Sequence, residues 1–177
     1  MEPKKECLVE IYTTSDHSFS VGTVLYEDED NILFRLLDKQ GKWDGFYLFK
    51  KFYISSMEHH TEYLKKMELY LEYWNKNHVS EAMKPNSIFY TKPTFAKLID
   101  FAQDANKIIT IASCRQPSTF ITGYVKEHKE GKVLMECIDM ETASIFSETE
   151  VAEHDIVFLE IESPDNELLN YAYQHIN

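Results

Sequence analysis

The chain carries one sequence unit twice, and this duplication limits its possible folds more than any other feature. The stretch FSVGTVLYEDEDNILFRLLD, residues 19–38, aligns with FITGYVKEHKEGKVLMECID, residues 120–139, at an offset of 101 residues. The alignment pairs Gly22 with Gly123, and both units end in an apolar run closed by an aspartate. Each unit is two β-type runs around a charged turn. The fold must therefore be built from two copies of a small β-rich unit.

Further strand signals flank both copies. The run LVEIYT precedes the first copy and KIITIAS precedes the second, each with alternating apolar residues. The runs GFYLFKKFYISS and ASIFSETEVAEHDIVFLEI follow them. Each half is thus predicted to form five short antiparallel strands in a small, strongly bent barrel. The glycine of the second strand is expected where no side chain can be accommodated.

Helical patterns fill the remaining sequence, so the predicted fold class is mainly β with helices (α+β). Apolar residues recur at helical spacing from Ser55 to Trp74, and Ser55 with Glu58 predicts a capping box. The stretch KPTFAKLIDFAQDAN predicts a second helix, with Pro93 near its start. The tail SPDNELLNYAYQ predicts a third, capped by Ser163.

These elements predict three regions along the chain. Residues 1–78 form the first barrel and its C-terminal helix, and residues 79–92, which contain Pro85, form a linker. Residues 93–177 form a helix, the second barrel and a C-terminal helix.

The two halves resemble the Sm-like fold of the LSm and Hfq proteins, a helix followed by a strongly bent, five-stranded antiparallel sheet. That family places a glycine in its second strand, an acidic residue at the next turn, and an aliphatic pair in the third strand. The matching residues of the first half are Gly22, Asp28, Ile32 and Leu33. Those of the second half are Gly123, Val133 and Leu134, with Lys129 in the acidic position.

The resemblance implies ring assembly and RNA binding through loops that line the pore. In Hfq-type members a basic and aromatic segment leading into the last strand contacts RNA. The corresponding residues here are Lys50, Lys51, Phe52 and Tyr53 in the first half, whereas only His154 keeps the pattern in the second. Lysines supply charge for phosphate, and aromatic rings can stack on bases. The alternative is that both lysines lie on a solvated strand edge, where they prevent edge-to-edge pairing.

The charge distribution separates the halves. The formal net charge is −12, and between Glu136 and Glu167 there are eleven acidic residues with no Lys or Arg. Such a surface is expected to repel phosphate. RNA, if bound, is therefore assigned to the first barrel, and the acidic second barrel is predicted to meet a basic protein partner.

No sequence motif indicates catalysis, a cofactor or a metal site, so the chain is predicted to be non-catalytic. The three cysteines lack C-x-x-C spacing and are interpreted as buried free thiols. His59 and His60 point in different directions on a helix and would not share an ion. No apolar run of membrane-spanning length and no signal-peptide pattern occurs, which predicts a cytoplasmic protein without membrane attachment.

Two functions remain open at this point. The first is an RNA-associated regulator that binds single-stranded RNA through the first barrel. The second is a protein–protein interaction module that has lost RNA binding, with homo-oligomer formation also possible. Aromatic residues in the first helix and the linker either anchor a partner or pack the two barrels together; they are Tyr63, Tyr70, Tyr73, Trp74, Phe89 and Tyr90.

Overall fold

Each half of the chain contributes five antiparallel strands, which confirms the mainly β, α+β class. The structure is a computed structural model that describes residues 7–14, 19–77 and 87–176. The strands of the first half are β1 (Leu8–Thr13), β2 (Phe19–Glu27), β3 (Asn31–Leu37), β4 (Trp43–Lys50) and β5 (Ile54–Glu58). Those of the second half are β6 (Ile108–Ser113), β7 (Gln116–Lys129), β8 (Lys132–Asp139), β9 (Ser144–Ala152) and β10 (Ile156–Ile161).

Three α-helices accompany the strands, and short 3₁₀ turns precede the last strand of each half. The helices are α1 (Glu62–Lys76), α2 (Phe95–Asp104) and α3 (Pro164–Ile176), and the two turns are Lys51–Tyr53 and Glu153–Asp155. The third helix begins as predicted, since the backbone N–H of Asn166 donates a hydrogen bond to the Ser163 hydroxyl over 3.3 Å. No helix in the described ranges has the length and apolar character needed to cross a bilayer.

The two halves are not closed barrels, and this corrects the predicted architecture. All ten described strands form one sheet in the order β5-β1-β2-β3-β4-β10-β6-β7-β8-β9. The halves join where β4 pairs antiparallel with β10, with Phe49 opposite Phe158 and Phe46 opposite Ile161. Each five-stranded half alone would leave two unpaired edges. Joining β4 to β10 satisfies one backbone edge from each half and buries apolar side chains at the junction.

Two apolar layers cover this junction from opposite faces. On one face, α2 places Leu98 and Ile99 against residues of both halves, including Leu48 and Leu159, and all four are fully buried. Phe89, from the 3₁₀ turn Ser87–Tyr90, stacks on Phe46 in the same cluster. Burying such side chains stabilises the fold by about 1.5–3 kcal/mol each. The core is therefore shared between the halves rather than divided into two.

The opposite face carries a second cluster around the same strands. Phe49 and Phe158 pack there with Ile11, Phe34 and Val157, and all are nearly inaccessible to solvent. The other two helices each cover part of one half: α1 packs Leu64 and Met67 on the first half, and α3 packs Leu169 on the second.

The repeated glycines lie where adjacent strands approach too closely for a side chain. A Cβ atom at Gly22 would overlap the backbone carbonyl of Arg35 on β3. A Cβ atom at Gly123 would overlap the carbonyl of Glu136 on β8 in the same way. The two positions are equivalent in the duplication, which agrees with the expectation that no side chain fits there.

Other local predictions are corrected. Ser55 and Glu58 belong to β5 and do not form a capping box; α1 begins later, with the Thr61 hydroxyl accepting from the Leu64 N–H. Pairing of β5 with β1 places these residues in the sheet, so tertiary hydrogen bonds outweigh the local helix signal. Two of the three free cysteines, Cys7 and Cys114, are exposed rather than buried.

The predicted regions 1–78, 79–92 and 93–177 remain predictions as domain boundaries. Residues 79–86 of the predicted linker lie outside the described residues, and so do residues 1–6 and 177. The shared core and the continuous sheet describe how the two halves contact each other.

Replacement of Gly22 by Ala is expected to lower the free energy of unfolding by about 1–3 kcal/mol, because the new methyl group must displace the β3 backbone. Gly123→Ala should behave alike. Urea denaturation measures the change. The control is Gly131→Asn in the β7–β8 turn, where an added Cβ meets no atom and the positive φ of 71° suits asparagine. If Gly22→Ala lowered the free energy of unfolding no more than the control does, that would contradict the close approach of β2 and β3 at Gly22.

Candidate functional site

The two lysines of the predicted RNA segment are engaged by neighbouring side chains. Lys50 ends β4, and its ammonium lies 5.0 Å from the centre of the Phe95 ring. The ammonium of Lys51 lies 2.6 Å from the Glu27 carboxylate. The ion pair with Glu27 reduces the positive potential that a phosphate would meet.

The two aromatic residues of this segment point into different environments. Phe52 is 67% exposed, whereas Tyr53 is only 4% exposed. The Tyr53 hydroxyl donates a 3.2 Å hydrogen bond to the carbonyl of Pro117 in the other half. Tyr53 therefore fastens the two halves together, and Phe52 alone offers a free aromatic face.

His154 occupies the equivalent 3₁₀ turn of the second half. Its side chain is exposed, and Nε2 lies 3.5 Å from the carboxylate of Asp155. Asp155 also accepts from Arg115 over 2.6 Å. His154 thus faces a carboxylate that already has a cationic partner.

The acidic segment of the second half is partly neutralised by basic residues from earlier in the chain. Seven of its acids form ion pairs or charged hydrogen bonds with basic side chains; they are Glu136, Glu148, Glu150, Glu153, Asp155, Glu162 and Glu167. The expectation of a uniformly acidic surface came from a stretch that has no Lys or Arg of its own. Strand pairing brings Lys126, Lys132 and Lys107 beside it.

His128 links three elements through its two ring nitrogens. Nδ1 lies 2.7 Å from Asp100 on α2, and Nε2 lies 3.0 Å from Glu153 in the 3₁₀ turn. Burial lowers the pKa of His128, but the hydrogen bonds to both carboxylates outweigh burial and raise it overall. The His128 ring therefore bridges α2 and the 3₁₀ turn that precedes β10.

A cavity of about 500 Å³ opens on the central sheet face and is lined by both halves. One wall is a row of polar side chains on four neighbouring strands, namely Thr122 on β7, Thr110 on β6, Glu160 on β10 and Tyr47 on β4. The register places them directly opposite one another, with Glu160 between Thr110 and Tyr47. The two threonine hydroxyls are 2.9 Å apart and share a hydrogen bond.

A parallel row of aromatic side chains lies two positions along the same strands. Phe158 on β10 stands between Phe49 on β4 and Phe120 on β7, with ring centres 5.4 Å and 5.6 Å away. Tyr47 contacts Phe158 edge to face at 4.8 Å. Phe120 is 57% exposed although it lines the cavity. The cavity therefore has an aromatic end and a polar end.

The first turn of α3 closes the polar end. Asp165 and Asn166 both line the cavity. The Asn166 side chain is buried, and within the described residues its Nδ2 atom has no hydrogen-bond partner. A buried amide donor without an acceptor is uncommon in proteins.

Burial and mutual repulsion raise the pKa values of the acids around this end. Asp44 lies in an adjoining groove that shares Tyr47 and Ser20 with the cavity. Burial, followed by the charges of Glu160, Asp38 and Asp165, raises the pKa of Asp44 to about 7. Burial also raises the pKa of Glu160, which Ser163 partly offsets by a hydrogen bond. Perturbed carboxyl groups in a cleft are typical of functional sites.

Sequence reasoning missed this cavity. Glu160 was the one available signal, since it is a charged residue within the apolar run IVFLEI. Its partners Tyr47 and Thr110 lie far away in the chain and become neighbours only through the register of β10 with β4 and β6. In the described part of the chain, no group of three or more His, Cys, Asp or Glu residues is arranged to hold a metal ion.

No protein-family model, curated protein or solved structure matches this chain.

The raised pKa of Asp44 predicts a pH dependence of stability. The folded chain retains this proton from about pH 4, where an ordinary Asp ionises, to about pH 7. The unfolded chain releases it throughout that range, so the free energy of unfolding falls as the pH rises. Asp44→Asn should make this fall shallower in urea titrations at several pH values.

The matched control for this experiment is Asp104→Asn, which changes an exposed carboxylate at the end of α2. It should leave the wild-type pH profile unchanged. Equal slopes for the wild type and Asp44→Asn would show that Asp44 ionises normally in the folded chain.

Proposed function

We propose that the chain is a non-catalytic binding protein made of two Sm-like units in one sheet, and that it assembles through its free strand edges. Three features that both halves share support the Sm-like assignment. Each half has five antiparallel strands, a second-strand glycine that abuts the third strand, and a 3₁₀ turn before its last strand.

The junction between the halves carries this proposal. It joins the fourth strand of the first half, β4, to the last strand of the second half, β10. The complementary strands are the fourth of the second half, β9, and the last of the first half, β5. These two form the edges of the described sheet. The β9 of one chain can therefore pair with the β5 of another as β4 pairs with β10.

The β9 edge has the properties of a pairing surface. It is nine residues long and carries the exposed side chains of Ile145 and Phe146 near its start, the latter 66% exposed. A long edge strand with exposed apolar residues is a template for a further strand. Because β9 and β5 are different surfaces, the contact is heterologous and generates rings or filaments rather than a closed pair.

Light scattering on the wild-type chain should therefore give a mass above the monomer value of 20.8 kDa. Ser147→Pro in β9 and Ser56→Pro in β5 each remove a backbone donor and add bulk at one edge, so each variant alone should be monomeric. An equimolar mixture should form dimers only, because one intact β9 edge and one intact β5 edge remain.

Two controls make this experiment specific. Ser147→Thr and Ser56→Thr keep the backbone donors and should assemble like the wild type. Far-UV circular dichroism verifies that the proline variants remain folded. A wild-type chain that stays monomeric at about 100 μM, or a mixture that does not dimerise, would refute edge pairing at the micromolar affinities of ordinary assemblies.

Single-stranded RNA is the second candidate ligand, and the exposed ring of Phe52, two residues after Lys50 in the chain, favours it. An exposed aromatic ring next to a cation is a stacking platform for a base. The ion pair of Lys51 with Glu27 and the burial of Tyr53 limit this surface to two residues. We accordingly favour strand-edge assembly over RNA binding.

Filter binding at low salt should show retention of single-stranded RNA by the wild type. Substitution of both Lys50 and Lys51 by Glu should abolish retention, because like charge then faces the phosphates. The matched control changes the adjacent pair Lys65 and Lys66 on α1 to Glu and should retain RNA. Absence of retention by the wild type, or equal losses in both double variants, would count against an RNA site here.

A further inference from the structure

The cavity on the central sheet face has the size and composition of a small-molecule site. Its volume of about 500 Å³ lies within the range of cavities that hold organic ligands. It is lined by strands from both halves and by the start of α3, so it exists only because the halves share one sheet.

The aromatic end favours a ligand with an apolar body and a positive charge. Phe49, Phe120 and Phe158 surround this end at edge-to-face or tilted angles. Aromatic faces attract ammonium groups, most strongly where water is excluded. They also remove apolar ligand surface from water.

The polar end presents two carboxyl groups that have no basic side chain beside them among the described lining residues. Glu160 and Asp165 line the cavity, and its lining residues in the described structure include no Lys, Arg or His. These two acids lie outside the ion pairs that seven other acids of the segment form with basic side chains. A cation placed between the aromatic row and Glu160 would supply the missing opposite charge.

Asn166 provides an independent indication of a ligand. Its side chain is only 4% exposed and lines the cavity, yet its Nδ2 atom has no partner within the described residues. The adjacent backbone is satisfied, since the N–H of Asn166 donates to Ser163. Nδ2 itself is closed to solvent, so a ligand oxygen accepts from it and completes its hydrogen bonding once the Asn166 side chain turns toward the cavity.

We propose that this cavity binds a small organic cation, a protonated amine or quaternary ammonium that also carries an oxygen acceptor. The ammonium group lies against the aromatic row and Glu160, and the oxygen accepts from Asn166. The same chemistry is offered by a free molecule and by the lysine side chain of a partner protein. Both sources present an ammonium group; the oxygen acceptor belongs to the free molecule itself or, for a partner lysine, to the backbone carbonyl of that residue.

Isothermal titration calorimetry with the full chain tests this proposal. The probes are choline and tyramine, each compared with an uncharged analogue of similar shape, 3,3-dimethylbutanol and 4-ethylphenol respectively. Nα-acetyl-lysine amide represents the side-chain source. The cationic probes should bind, and the uncharged analogues should bind about tenfold more weakly or not at all.

Variants locate the binding site. Glu160→Gln keeps the shape of the side chain and removes its charge, and it should weaken binding of the cationic probe by about tenfold or more. Asn166→Leu should weaken binding of the probes that carry an oxygen but leave tetramethylammonium unaffected. The matched control is Glu29→Gln in the β2–β3 turn, an exposed acid outside the cavity, which should bind like the wild type.

Each outcome decides between possibilities. Binding of choline or tyramine that depends on Glu160 supports a free cation as the ligand, and binding of the lysine probe alone supports a partner side chain. Absence of binding by every cationic probe at about 10 mM, tenfold above a millimolar Kd, overturns the proposal. Equal binding of charged and uncharged probes, or of the wild type and Glu160→Gln, overturns it as well.

Discussion

Antiparallel pairing of β4 with β10 is the contact on which the other features of this molecule depend. It satisfies one backbone edge of each half, and it brings Phe46 and Phe49 into layers shared with the second half. The same register places Glu160 opposite Tyr47, which creates the polar wall of the cavity. It also decides which strands remain at the edges of the described sheet. Because β4 and β10 pair with each other, β5 and β9 are left with one unpaired side each.

The net charge of a sequence segment differs from the charge of the surface that it forms in the fold. The stretch from Glu136 to Glu167 has no basic residue, yet Lys126 on β7 contacts both Glu136 and Glu148 on the adjacent strands. Charged residues that are distant in sequence become neighbours when strands pair. A count of acidic residues within one segment therefore overstates the negative potential of the surface. Glu160 and Asp165, which line the cavity and have no ion-pair partner among its described lining residues, consequently say more about a ligand than the number of acidic residues in the segment does.

The predicted RNA segment and the cavity illustrate what residue patterns can locate. The predicted RNA segment is four consecutive residues, Lys50, Lys51, Phe52 and Tyr53, so the sequence shows their pattern. It does not show in which direction each side chain points. Tyr53 turns inward to bond Pro117, and Lys51 pairs with Glu27 across the turn. The cavity residues are spread from β1 to α3, and no local pattern marks them. Only Glu160, a charge inside an apolar strand, gave a sign of the site.

The sequence by itself determined the duplication, five strands in each half, the close strand approach at Gly22 and Gly123, and the Ser163 cap of α3. These follow from local periodicity, turn chemistry and steric limits, all of which act over a few residues. Only the tertiary structure decided that the halves form one open sheet, that Ser55 and Glu58 belong to β5, and that a cavity forms between the halves. Those outcomes rest on hydrogen bonds and packing between residues about a hundred positions apart, and their free energy is not encoded in any single segment.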